Sequence, residues 1–170
     1  MIMNFLIRQI EKRDFSRIHE IALKGWLFAY GYLPKESLKG LVDEYYSDES
    51  LTFSLNRVES GTDFFAVAEL NGKIIGFCHV TEENQEGAAE LLRLYLDLDY
   101  MGHGIAKQLL VNCENFLRDK SCRKYNTFCN KHNKKGIEFY LRNKFLHIEN
   151  KDKEDEFKNG KVLWHLEKTL

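Results

Sequence analysis

Glu90-Leu-Leu-Arg-Leu-Tyr-Leu-Asp-Leu-Asp-Tyr-Met-Gly-His-Gly-Ile-Ala106 reads as an apolar strand, a sharp glycine-bearing turn and a helix that begins at once. Downstream, Ile105, Leu109, Leu110, Cys113, Phe116 and Leu117 recur at helical spacing. A helix start leaves backbone N–H groups unpaired and carries a partial positive charge. Glycine ahead of it lets a phosphate approach those groups without meeting a Cβ. The stretch therefore predicts a phosphate cradle at the end of a strand that also carries a carboxylate, Glu90. Taken alone, Gly102-x-Gly104 is read equally well as turn chemistry. No Gly-Lys-Ser/Thr of a Walker loop follows, and the third glycine of a dinucleotide fingerprint is missing.

Working outward, Phe64–Leu70 and Lys73–Val80 are β-rich runs flanking Asn71-Gly72, a strong hairpin signal. A charged turn from Glu82 to Gly87 leads into the opening strand, about Ala88 to Leu98. Before the hairpin, Phe5–Ile10 predicts a first strand and Asp14 caps a helix carrying Ile18, Ile21, Ala22, Gly25, Trp26 and Ala29. Gly31-Tyr-Leu-Pro34 ends that helix, and further helical segments follow near Lys35–Tyr46 and Glu49–Val58. After the helix from Gly104 to about Lys120 come a strand at Lys124–Cys129, a short helix at Lys134–Asn143, a strand from Phe145 and a last strand at Lys161–Lys168. The charged run Lys151–Lys158 reads as a solvated loop. With no repeat, low-complexity segment or linker, residues 1–170 form a single α+β domain with a mostly antiparallel sheet.

The bulk properties exclude more than they select. A net charge of −1 gives no reason to expect nucleic acid. No apolar run approaches the roughly 20 residues of a membrane span, and Met1–Arg13 lacks the pattern of a secretory signal. The four cysteines, Cys78, Cys113, Cys122 and Cys129, show no CxxC spacing and read as reduced thiols of a cytoplasmic protein. The six histidines form no HExxH-like pair, so no metal site is expected.

The order of elements resembles the GCN5-related N-acetyltransferases across nearly the whole chain. That family's acyl-CoA signature, Gln/Arg-x-x-Gly-x-Gly/Ala, is matched by Met101-Gly-His-Gly104-Ile-Ala106, with Met101 in place of the usual Gln or Arg. A second family segment, an Asn, a small residue, Phe-Tyr and then Gly-Phe, is matched by Asn133, Gly136, Phe139-Tyr140 and Lys144-Phe145, with Lys144 where Gly is usual. Gly25-Trp-x-x-Ala-Tyr-Gly-Tyr-Leu-Pro34 and Glu90-Leu-x-Arg-x-Tyr95 are similar to the branch of PaiA-type polyamine acetyltransferases.

The resemblance implies a three-layer fold with about six or seven strands, splayed between the fourth and fifth. It implies acetyl-CoA as cofactor, with the backbone of Met101, Gly102, His103, Gly104, Ile105 and Ala106 around its phosphates. Leu94, Tyr95 and Leu96 would lie along its amide arm, which pairs like an added strand. Tyr140 takes the place of the tyrosine that protonates the leaving thiolate, and its spacing from Ile137 also allows a core role. Asn133 is a cofactor contact, a helix N-cap or both. Glu90 occupies the general-base position of the histone-acetylating branch, against the alternative of an exposed strand-end carboxylate. Tyr30 and Tyr32 fall in the loop that lines the family's acceptor groove, and Trp26 is a further candidate substrate contact with core packing the alternative; aromatic faces there suit a cationic amine. The acidic Asp43, Glu44, Asp48 and Glu49 fit the same idea or simply face solvent.

The function expected is direct acetyl transfer in a ternary complex to a small primary amine, a polyamine by preference. No cysteine stands where it would argue for an acetyl-enzyme. A protein N-terminus or lysine is the alternative acceptor, and a CoA-binding sensor with little turnover the non-enzyme alternative. Homodimers are common in the family.

Overall fold

The computed structural model describes residues 3–82 and 87–170. Most of the charged turn expected at Glu82–Gly87 lies outside them. The strands are β1 (Leu6–Gln9), β2 (Asp63–Leu70), β3 (Lys73–Thr81), β4 (Ala89–Leu96), β5 (Lys124–Asn130), β6 (Leu146–His147) and β7 (Leu163–Thr169). The helices are α1 (Phe15–Ala29), α2 (Lys35–Tyr45), α3 (Asp48–Glu59), α4 (Ile105–Asp119) and α5 (Lys134–Arg142).

The strands form one sheet in the order β1-β2-β3-β4-β5-β7-β6. Every pairing is antiparallel except β4 with β5. Between β2 and β3, Asn71 and Gly72 both take positive φ (51° and 78°), as a tight hairpin turn requires. Ser47 caps α3 by accepting from the Ser50 N–H at 3.1 Å. Under one sheet face, α1, α2 and α3 bury Ile18, Ile21, Val42 and Leu51 against Phe65, Val67 and Phe77. Under the other, α4 and α5 bury Leu109, Leu110, Cys113, Ile137 and Tyr140 against Ala66, Cys78, Leu91 and Tyr125. Among the described residues no helix is long and apolar enough to cross a membrane.

Two local features differ from the expected pattern. Pairing of β3 with β4 slips between His79↔Arg93 and Val80↔Leu91, leaving Leu92 as a bulged residue. The bulge resets the alternation, so Ala89 and Leu91 share the α4 face with Leu94 and Leu96. The charged run Lys151–Lys158 is not simply a solvated loop. Asp155 is only 8% exposed, and its Oδ1 accepts the N–H groups of Phe157 and Asn159 at 3.1 Å each.

Candidate active site

β4 and β5 pair only at Ala89↔Tyr125 and Glu90↔Asn126. Just beyond, the Thr127 hydroxyl donates to the Leu91 carbonyl at 2.8 Å, and then the strands part. From Leu92 to Leu96 the β5-facing edge of β4 has no strand partner, so its backbone groups are open to an extended ligand. The end of β4 is anchored by buried Asp97, whose carboxylate is gripped by Arg17 and whose N–H donates to the Ile75 carbonyl at 2.9 Å.

The chain then turns through Gly102 and Gly104, at φ 82° and 78°, into α4. Both angles lie in the left-handed region, and a Cβ on either glycine would point into open space. The first helical bond of α4 runs from the Gln108 N–H to the Gly104 carbonyl at 3.1 Å, so the N–H groups of Ile105, Ala106 and Lys107 precede the helical ladder. The first turn of α4 carries no acidic side chain. The opening thus carries partial positive charge from backbone N–H groups and is free of side-chain bulk at both glycines, which fits a phosphorylated cofactor such as coenzyme A.

Between the parted strands lies a cavity of about 250 Å³. Leu94, Tyr95 and Leu96 line it from β4, Met101, Gly102 and Ala106 from the turn, Asn133 and Tyr140 from α5. Asn133 is the N-cap of α5, its Oδ1 accepting the Gly136 N–H at 3.0 Å. A Cβ on Gly136 would lie 2.5 Å from Asn133 Nδ2 and 3.1 Å from Cys129 Sγ, so cap and wall both need the bare glycine. Burial pushes the Tyr140 hydroxyl well above the usual tyrosine range, with the Thr127 hydroxyl beside it pulling the other way. The hydroxyl is therefore protonated throughout the physiological range.

A second cavity of about 340 Å³ adjoins the first, and Tyr30, Leu92, Tyr95 and Phe128 line both. Its other walls include Trp26, Tyr45, Tyr46, Arg93, Asp155 and Glu156. Trp26 packs against Tyr30 and Tyr45 with ring centroids 5.4 and 6.0 Å apart. The Tyr45 hydroxyl donates to Glu156 at 2.6 Å, tying the segment before β7 to α2.

Over residues 16–145 the chain matches the sequence profile of the Acetyltransferase (GNAT) family. It belongs to that family. Among its relatives, a spermidine N(1)-acetyltransferase of Thermoplasma acidophilum is 30% identical over 155 residues, 90% of this chain and 94% of that protein. The crystal structure of a PaiA N-acetyltransferase from Thermoplasma acidophilum in complex with coenzyme A superposes with a TM-score of 0.85 at 27% identity, covering 99% and 100% of the two chains. A GNAT-family acetyltransferase from Staphylococcus aureus shares the fold at TM-score 0.76 and 16% identity, over 98% and 99% of the chains.

Within this GNAT chain, the expected site residues fall into three sets. Leu94, Tyr95, Leu96, Met101, Gly102, Ala106, Asn133 and Tyr140 line the first cavity, while Trp26 and Tyr30 line the second. His103, Gly104, Ile105 and Tyr32 line neither cavity. The Ile105 side chain is fully buried in the core, leaving its backbone N–H to face the turn. His103 and Gly104 border a further hollow with Met3, Phe5 and Ile7, which shares Gly102 with the first cavity, and Tyr32 accepts from Asn130 Nδ2 at 2.9 Å. Glu90 sits apart, in a hollow with Lys153, His165 and Glu167 that shares one wall residue, Phe128, with the second cavity. Burial raises its carboxyl above the usual range, opposed by Lys153.

Several lining residues escaped the sequence reading. Asp155 and Glu156 belong to the cavity wall, whereas Asp43, Glu44, Asp48 and Glu49 do not. Cys129 lines the first cavity beside Tyr140. Burial pushes its thiol up to about 12, so it is no thiolate at neutral pH. Lys144, the second departure from the family pattern, takes φ 69° just past α5, which explains the glycine usual there.

Proposed function

We propose that this chain transfers the acetyl group of acetyl-CoA to a primary amine of a small substrate, a polyamine above others, directly within a ternary complex. The observation that carries the reading is the pair of joined cavities: a cofactor-shaped cleft ending at Tyr140, continuous through Tyr30, Leu92, Tyr95 and Phe128 with an aromatic chamber edged by Asp155 and Glu156. Aromatic faces and carboxylates favour a cationic chain, and the similarity to a spermidine acetyltransferase supports the same substrate class.

Bound acetyl-CoA supplies an activated acyl thioester. The N–H groups at the start of α4 would hold its phosphates, and the free edge of β4 would orient its amide arm like an added strand. Tyr140 keeps its proton on Oη, ready for the departing sulfur, because burial disfavours the phenolate. The attacking amine has to be neutral, against an ordinary pKa near ~10.4. Glu90 would take the amine's proton, its half-buried carboxylate holding a proton more readily than an exposed one. The protonated Cys129 thiol supports direct transfer over an acetylated cysteine.

Free-thiol release from acetyl-CoA across a panel of monoamines, diamines, spermidine and peptides tests the reading. Polyamines should give the highest kcat/KM. A peptide acceptor turning over faster would move the substrate to protein amines. Tight acetyl-CoA binding with no turnover on any amine would make the chain a cofactor sensor.

A further inference from the structure

A buried polar chain used by neither cofactor binding nor transfer runs from the surface of α3 to the amine-side cavity. Arg57 donates Nε and Nη2 to Asp63 at 2.9 and 2.8 Å. Asp63 Oδ2 lies 2.8 Å from His79 Nε2, and Arg93 Nη1 lies 3.1 Å from His79 Nδ1. A guanidinium has only donors, so Nδ1 is the acceptor and the imidazole proton sits on Nε2, facing Asp63. Burial lowers the His79 pKa, and Arg93 and Arg57 add to this against the pull of Asp63, so the ring stays neutral. Phe65 stacks on that ring at 4.6 Å and 8°.

Arg93 is thereby fixed on every side. Nη1 also donates to Ser54 Oγ at 3.1 Å, and Nη2 donates to the Tyr45 carbonyl at 3.0 Å. Its guanidinium covers the rings of Tyr46 and Phe65 at 4.9 and 5.5 Å. Arg93 springs from β4, one residue past the bulge at Leu92, yet besides His79 on the neighbouring β3 its acceptors lie at the end of α2 and in α3. The same corner supplies Tyr45, Tyr46 and Ser50 to the amine-side cavity. Ser50 closes it by donating to the Tyr45 carbonyl at 2.8 Å.

We propose that Arg93, oriented by neutral His79, is the positioning residue of the amine-side cavity: it pins the Tyr45–Tyr46 wall to the strand that carries the cofactor. The inference rests on the acetyltransferase reading above and adds to it what sets the width of the acceptor chamber.

Steady-state kinetics of Arg93→Met with spermidine tests it. The amine KM should rise about tenfold or more, while the acetyl-CoA dissociation constant, read by calorimetry, stays within about twofold. His79→Gln keeps an acceptor for Arg93 and a donor for Asp63, so its KM should return close to wild type, whereas His79→Leu should match Arg93→Met. If Arg93→Met does not fold, the His79 pair decides. An unchanged amine KM in folded Arg93→Met overturns the proposal, as does the same KM for Gln and Leu at position 79. Both results leave the acetyltransferase reading standing. Wild-type protein inert on every amine overturns both.

Discussion

Replacing Tyr140 by phenylalanine removes one oxygen and keeps a ring that packs 5.4 Å from Phe139 and 5.1 Å from Phe145. Tyr140 is 9% exposed within the core under β5, so the ring carries the packing, and the proposed role in transfer rests on the hydroxyl alone. Losing a neutral hydroxyl contact costs about 0.5–1.5 kcal/mol of stability, a small part of a domain's total. A positioned proton donor contributes about 10²–10⁴ in rate, which is about 3–5 kcal/mol of barrier. Tyr140→Phe should therefore lower kcat by about two to four decades, with acetyl-CoA affinity within about threefold of wild type. Single-turnover thiol release isolates the chemical step, and calorimetry reads the affinity. The pH profile adds a sign. A general acid works protonated, so its activity is lost as pH rises through its pKa. Burial has moved that value above the usual tyrosine range. The wild type should accordingly show no alkaline decline from Tyr140 between about pH 7 and 10. A kcat within about threefold of wild type, or a loss of kcat matched by an equal loss of cofactor affinity, refutes the assignment.

Gly104→Val forces a β-branched residue to φ 78°, at a backbone cost of about 1–2 kcal/mol or more, and should abolish acetyl-CoA binding by calorimetry while circular dichroism keeps its helical signal. Glu90→Gln removes the proposed base, which would work ionised and lose function as pH falls through a pKa raised by burial. The variant's pH–rate profile should shift upward toward the pKa of the amine itself, and an unaltered profile would take Glu90 out of the mechanism. Lys144→Gly relieves a left-handed lysine worth about 1–2 kcal/mol, less about 0.5–1 kcal/mol of added chain entropy. A net gain of about 0.5–1 kcal/mol in urea unfolding is expected, and a loss of stability would show the strain to be absent.

The strand–turn–helix from Glu90 to Ala106 was readable because each local preference agrees with the fold: apolar run, paired glycines, then helical periodicity. The Asn71-Gly72 hairpin and the Asn133 cap were readable for the same reason. What stayed hidden depends on register and on distant contacts. Nothing in Leu91-Leu-Arg93 marks Leu92 as bulged, yet that one residue turns Arg93 toward α2 and α3. Asp155 and Glu156 look like part of a solvated charge run until the chain before β7 folds over the amine-side cavity. Glu90 was placed by strand order, which does not reveal that it opens into a hollow of its own, sharing only Phe128 with the second cavity.

The parting of β4 from β5 also has a mechanical consequence. With only Ala89↔Tyr125 and Glu90↔Asn126 joining them, the sheet consists of a four-stranded plate and a three-stranded plate hinged along one short seam. The Thr127 hydroxyl is a bolt at the end of that seam. An extended ligand laid in the gap would add the missing rungs, tying the two plates together beyond the core they share under α4 and α5.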